Sequence, residues 1–129
     1  MQSDQENVLT SLQQYRSEVL SIPRLSASEE REVEQRAHLG DSQARQQLIE
    51  AGLRYVAGVA WRYLCYVPQD DYLELVSVGN MAVVEGMDKA LAARQPSAYL
   101  RSLARNRIRR YCLSRSRLVS RQRSLRAER

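Results

Sequence analysis

Proline occurs three times in these 129 residues, at 23, 68 and 96, and each time it falls where a run of helical apolar spacing stops. A proline removes a backbone donor and drives the preceding residue out of the α region, so these positions end helices. Five glycines and no phenylalanine leave little material for the turns and aromatic strands of a β-rich fold. Between the prolines the chain is dominated by Ala, Leu, Gln, Glu and Arg, which are helix formers. The expected fold is all-α, a compact bundle of about five helices.

Helix one is predicted over Glu6 to Leu20, with Val8, Leu12, Tyr15 and Val19 at helical spacing. Ser26 and Glu29 read as a capping box for helix two, Ala27 to Leu39, with Gly40 as its C′ residue. Asp41 then starts helix three, Ser42 to Cys65, whose stripe is Leu48, Ile49, Leu53, Val56, Ala57, Ala60, Trp61 and Leu64. Trp61 is expected in the core. Gly52 and Gly58 each cost about 1 kcal/mol there relative to Ala, which points to a close neighbouring helix. Asp70 or Asp71 caps helix four, which runs to Ala93 on the stripe Tyr72, Leu75, Val76, Gly79, Ala82, Val83, Gly86, Met87 and Ala90. Ser97 is the expected N-cap of helix five, Ala98 to Leu113. Residues 1–113 make the domain, and 114–129 form a basic extension that either continues the helix on a partner or stays disordered without one.

Charge divides the chain at the same place as its last proline. Residues 1–93 hold 8 Arg and Lys against 14 Asp and Glu, a net −6, while residues 94–129 hold 12 Arg against Glu128 alone, a net +11. Leu100, Leu103, Ala104, Ile108, Tyr111 and Cys112 share one face of helix five, and Arg101, Arg105 and Arg109 lie four apart on another, with Asn106 and Arg110 beside them. Like charges at that spacing repel by a few tenths of a kcal/mol per pair, and a purely structural helix would rarely stack them without a counter-charge. Arginine neutralises phosphates, and Asn and Arg read base edges, so this face is the candidate nucleic-acid surface.

Other chemistries find no support in the sequence. Cys65 and Cys112, 47 positions apart, suggest neither a disulfide framework nor a metal site, and free, buried thiols are expected. His38, the only histidine, sits near a helix end without ligating neighbours. There is no nucleophile–base pair and no Gly-rich phosphate loop, so an enzyme, a cofactor and a small-molecule substrate are not expected. Lacking a signal peptide or a long apolar run, the chain reads as cytoplasmic with no membrane partner.

The order of short motifs resembles the first folded domain of bacterial sigma-70 family factors, the RNA polymerase subunits that recognise and open promoters. Ile22-Pro23-Arg24-Leu25 with Glu29-Glu30 is similar to the family's IPLLTxEEE, and Gly40-Asp41 through Ala51 to GDxxARxxLIEAN. Leu53-Arg54-Tyr55-Val56 resembles LRLV, Glu74 to Asn80 resembles DLIQEGN, and Pro96-Ser97-Ala98-Tyr99 stands where the family has FSTY. Ala104-Arg105-Asn106-Arg107 is similar to the ARNR of the shorter, extracytoplasmic-function members. The resemblance covers residues 10–113.

It implies a region 2-like helical domain that binds promoter DNA through Tyr99, Arg101, Arg105, Asn106, Arg109 and Arg110, and the polymerase core through Asp70, Asp71, Glu74, Ser77 and Asn80. The departures are specific. The family's Gln-Glu pair, which grips the polymerase clamp, is here Ser77-Val78, and the two Trp of principal members are Ser102-Leu103. That leaves Tyr99 and Tyr111 as aromatic candidates for an unstacked base. Nothing after residue 113 resembles the family's helix-turn-helix domain. Two alternatives stay open: a degenerate or split module that regulates polymerase or another sigma factor (a sigma or anti-sigma partner), and a general nucleic-acid-binding helical protein.

Overall fold

A computed structural model describes residues 12–68 and 71–127, apart from the side chain of residue 119. Five α-helices follow one another: α1 (12–20), α2 (Ala27–His38), α3 (Ser42–Arg62), α4 (Tyr72–Ala92) and α5 (Pro96–Ala127), with a 3-10 turn at Tyr63–Tyr66 closing α3. Residues 1–11 of the expected first helix lie outside the described residues.

The connections form where local chemistry demands them. Ser26 Oγ accepts the Glu29 N–H at 3.2 Å and donates to Glu29 Oε1 at 3.0 Å, so one half of the capping box forms and the other runs through the hydroxyl instead of the amide. At the far end of α2, Gly40 takes φ +91°, its N–H donates to Ala37 O and the Asp41 N–H to Arg36 O, the paired bonds of a Schellman turn. Asp41 then caps α3 by accepting from Gln43 N at 2.9 Å and Ala44 N at 3.2 Å, while Arg36 Nε donates to its other oxygen. Two residues thus turn the chain from one helix into the next.

Helix α5 begins two residues before its expected start. Pro96 is its first helical residue, a position where the missing N–H costs nothing, so Ser97 lies inside the first turn instead of capping it. The anion at this helix end comes from α2: Glu34 Oε1 accepts the Ser97 N–H at 3.2 Å. The expected end near Leu113 is not met either, because the helix continues to Ala127.

All nine stripe residues of α4 are buried, and the seven that are not glycine join two clusters. One packs Leu12, Val56, Val59, Leu75, Val83 and Ile108 around Tyr72, whose hydroxyl donates to Ala57 O at 3.1 Å. The other packs Val33, Leu48, Met87 and Leu100 where α2 closes on the remaining helices. Two glycines of α4 allow close approach: a Cβ at Gly79 would stand 2.6 Å from Val56 Cγ1 and 2.9 Å from Ile108 Cδ1, and one at Gly86 would stand closer still to Leu103 Cδ2. Gly52 meets Val83 as the sequence suggested, but Gly58 has no neighbour within 4 Å of its Cβ direction. Trp61 lies at the edge of the core, 38% exposed, edge-on to Tyr72 and under the Arg16 guanidinium 4.3 Å from its ring centroid. Cys112 is buried as expected, while Cys65 is exposed.

Candidate nucleic-acid interface

The packed face of α5 fixes where its polar residues point. Leu100, Ala104, Ile108 and Cys112 are buried against α3 and α4, which turns Arg105, Asn106, Arg107, Arg109 and Arg110 out to solvent. No Asp or Glu occurs between Asp88 and Glu128, so α5 supplies no counter-charge of its own. One counter-charge comes from another helix: Arg101 Nη1 donates to Glu30 Oε1 of α2 at 2.9 Å. Four of the five polar candidates, Arg105, Asn106, Arg109 and Arg110, therefore share an open surface, and Arg101 is tethered at its edge. Tyr99 is half-buried and packs into the second cluster beside Gly86, so it serves first as a packing residue.

Arg101 also rims a cavity of about 620 Å³ between the α1–α2 loop, α3 and the start of α5. Arg24, Arg54, Tyr55, Arg62 and Ser97 line it as well, and Gly58 leaves part of its wall open. Arg54 Nε donates to Ile22 O at 3.0 Å, holding the loop against α3. The buried Ser97 hydroxyl has no hydrogen-bond partner among the described residues. Glu30 lines it too and pairs with Arg101, which leaves Arg24, Arg54 and Arg62 with one aromatic face, a set that suits a planar, anionic group. Sequence reading missed it because three distant segments build it; the arginines at 24, 54 and 62 carry no shared spacing.

The acidic candidates are arranged differently from the expectation. Asp70 lies outside the described residues. Asp71 stands at the N-cap of α4 without making a capping bond; it is 5% exposed, and Arg115 Nε donates to its Oδ2 at 2.8 Å. Glu74 accepts the Tyr111 hydroxyl. Burial, that hydrogen bond and the nearby carboxylates push the Tyr111 phenol up to about 12. Ser77 is exposed, and Asn80 is half-buried with its Nδ2 3.5 Å from the Tyr15 hydroxyl. Beside the exposed Glu74, Glu85, Asp88 and Lys89, α4 presents three large apolar residues outward: Leu73, Met81 and Val84 are 49%, 57% and 60% exposed and share one side of the helix with Ser77 and Asp88. The sequence signal was present in those positions, but the nine-residue core stripe claimed the helix's apolar pattern first.

Among the described residues no helix is long and apolar enough to cross a membrane, and no three His, Cys, Asp or Glu side chains are grouped to hold a metal ion.

Comparison with known proteins matches the family model of sigma-70 region 2 to residues 48–118. The chain is 36% identical over 75 residues to RNA polymerase sigma factor SigA of a Bacillus species, covering 58% of this chain and 19% of that protein. It is 35% identical over 79 residues to RNA polymerase sigma-C factor of Myxococcus xanthus, 60% of this chain and 27% of that one. With RNA polymerase sigma factor RpoS of Coxiella burnetii it shares 38% identity over 68 residues, 52% of this chain and 18% of that protein. The chain thus matches between 18% and 27% of the length of these relatives. No solved structure gives a significant match.

Proposed function

The chain belongs to the sigma-70 region 2 family, and from that premise we propose that it is a sigma-factor-like initiation protein, a binding protein and not an enzyme. Promoter-like DNA lies along α5 while the outer face of α4 docks on the RNA polymerase core. The observation that carries this reading is the α5 face: Arg105, Asn106, Arg109 and Arg110, all exposed, on a helix with no acidic residue up to Ala127. Arg105, Arg109 and Arg110 bind phosphates and release counterions, and Asn106 is placed between them to meet a base edge. Arg101 stands where this face meets the cavity. One unstacked base would lie there against Tyr55, with the neighbouring arginines on its phosphate. The Leu73, Ser77, Met81 and Val84 stripe supports docking to a protein, since an exposed apolar stripe on a soluble helix is costly unless covered.

Fluorescence anisotropy with a forked promoter-like oligonucleotide and a random-sequence duplex, each with and without core polymerase, tests this. We expect core-dependent preference for the promoter-like probe, and start-site-specific run-off transcription. Arg105→Ala with Arg109→Ala should weaken DNA binding by about tenfold or more. Equal binding of both probes with no retention on core would instead make it a general nucleic-acid-binding helical protein.

A second reading has its own support. Asp71 and Glu74 are engaged by α5, and Ser77-Val78 stand where the family carries Gln-Glu. A regulatory module that holds polymerase or a sigma factor without opening DNA would keep its partner after Arg101→Ala and Arg105→Ala, with run-off absent throughout.

A further inference from the structure

Beyond Arg115, α5 keeps the spacing of its packed face. Ile108 and Cys112 are buried and Tyr111 is half-buried against α4. The same alternation of three and four residues runs from Ile108 through Tyr111 and Arg115 to Leu118, Gln122 and Leu125. Leu118 and Leu125, seven apart on this seam, are 48% and 58% exposed. The charged side chains around them are all arginines: Arg117, Arg121, Arg123 and Arg126, each exposed. The Arg115–Asp71 ion pair fixes the root of this overhang to α4. Beside it a cavity of about 340 Å³, lined by Asp71, Glu74, Tyr111, Ser114, Arg115 and Leu118, opens at the foot of the seam. The sigma-70 region 2 match ends at residue 118, so most of the overhang lies past the part that the family accounts for.

We propose that residues 115–127 are a docking helix for an acidic amphipathic helix of a protein partner. Its apolar residues, at heptad spacing, cover Leu118 and Leu125, and its flanking Asp and Glu meet the arginines on either side. The charge decides between occupants. A DNA backbone takes the arginines and leaves two leucines against phosphate and water. A second copy of the overhang covers the leucines and sets Arg117, Arg121, Arg123 and Arg126 against their own kind. Only an acidic helix meets both demands, and the cavity at the foot receives one large side chain from its near end.

The test titrates the full chain into a labelled synthetic peptide of about three heptads with Leu at the seam positions and Glu flanking them. A peptide of identical composition with its Leu positions scrambled, and a duplex DNA, serve as the other arms, with sedimentation of the chain alone alongside. The heptad peptide should bind at least about tenfold tighter than the scrambled one. Leu118→Ser with Leu125→Ser, which changes no charge, should abolish that preference while leaving Tm and DNA binding unaltered. Equal binding of the two peptides, or indifference to the leucine substitutions, would overturn the proposal. So would a chain dimer that the same substitutions dissolve, since the seam would then belong to a second copy.

Discussion

Gly40 is the only described residue with a positive φ, and nothing crowds its Cβ direction, so its role is purely conformational. Gly40→Ala should cost about 1–2 kcal/mol, read from chemical denaturation, because any L side chain is strained there. Gly58 is the opposite case: helical, with open space beside it. Gly58→Ala should add about 0.5–1 kcal/mol in the same assay, while Gly58→Leu fills the wall of the large cavity and should weaken binding of single-stranded DNA without lowering Tm. Tyr111 and Asp41 contribute at opposite ends of the pH range, with buried Tyr72 and Cys112, both pushed up by burial, adding on the alkaline side. Tyr111 is raised from 10.0 to about 12 by burial first and by Glu74 second, so its neutral form belongs to the folded state. Its contribution is present below pH 10 and is lost as pH rises toward 12. Tyr111→Phe should flatten that part of the alkaline decline in the denaturation midpoint. The Ala44 N–H, helped by Gln43 and Arg36, holds Asp41 below its ordinary 3.8 against a desolvation that pulls the other way. Its contribution exists above that value and disappears as pH falls through the lowered one, so Asp41→Asn, which keeps the cap, should make the acid limb shallower.

At the scale of the element, α5 is two helices in one. Its first half is positioned by burial, and its second half is held at a single point, Arg115 on Asp71. A chain stopped after Leu113 should melt at a lower temperature than one stopped after Leu118, because the shorter one leaves Asp71 buried without its partner. Adding Asp71→Asn to the shorter chain should recover much of the difference, as thermal circular dichroism would register. In α4 the small residues matter through space more than propensity. Gly79→Ala puts a methyl into Val56 and Ile108 and should cost about 1–3 kcal/mol, where the same change at Gly58 stabilises.

For the molecule as a whole, segregated charge is the property on which the proposed function rests. The acidic helices form the body and the arginines form one long edge, so removing Arg105 should lower the slope of log K against log salt for duplex DNA by about 0.9. Much of this arrangement was legible beforehand. The helix count, the nine-residue stripe of α4, the Gly40-Asp41 turn and the outward face of α5 follow from period and punctuation, which are local. What escaped were features that need the third dimension. Arg101 finds Glu30 across 71 positions and Arg115 finds Asp71 across 44, and no sequence period links such pairs. Trp61 read as core from its stripe, but the stripe is broader than the surface that covers it. The cavity is a gap between three segments, and Gly58 resembled a packing glycine because only its neighbours, not its own position, distinguish the two.

The ion pair at the root of the overhang has a mechanical consequence. From Arg115 to Ala127 the helix projects about 18 Å at 1.5 Å per residue. It is a lever arm whose fulcrum is the first turn of α4. Tension applied to its far end, by whatever grips it, reaches Arg115–Asp71 first and then Tyr111, which holds Glu74 and packs on the first cluster. Under force the Arg115–Asp71 pair parts first, and the turn it releases is the one that carries Leu73 at the head of the outer stripe.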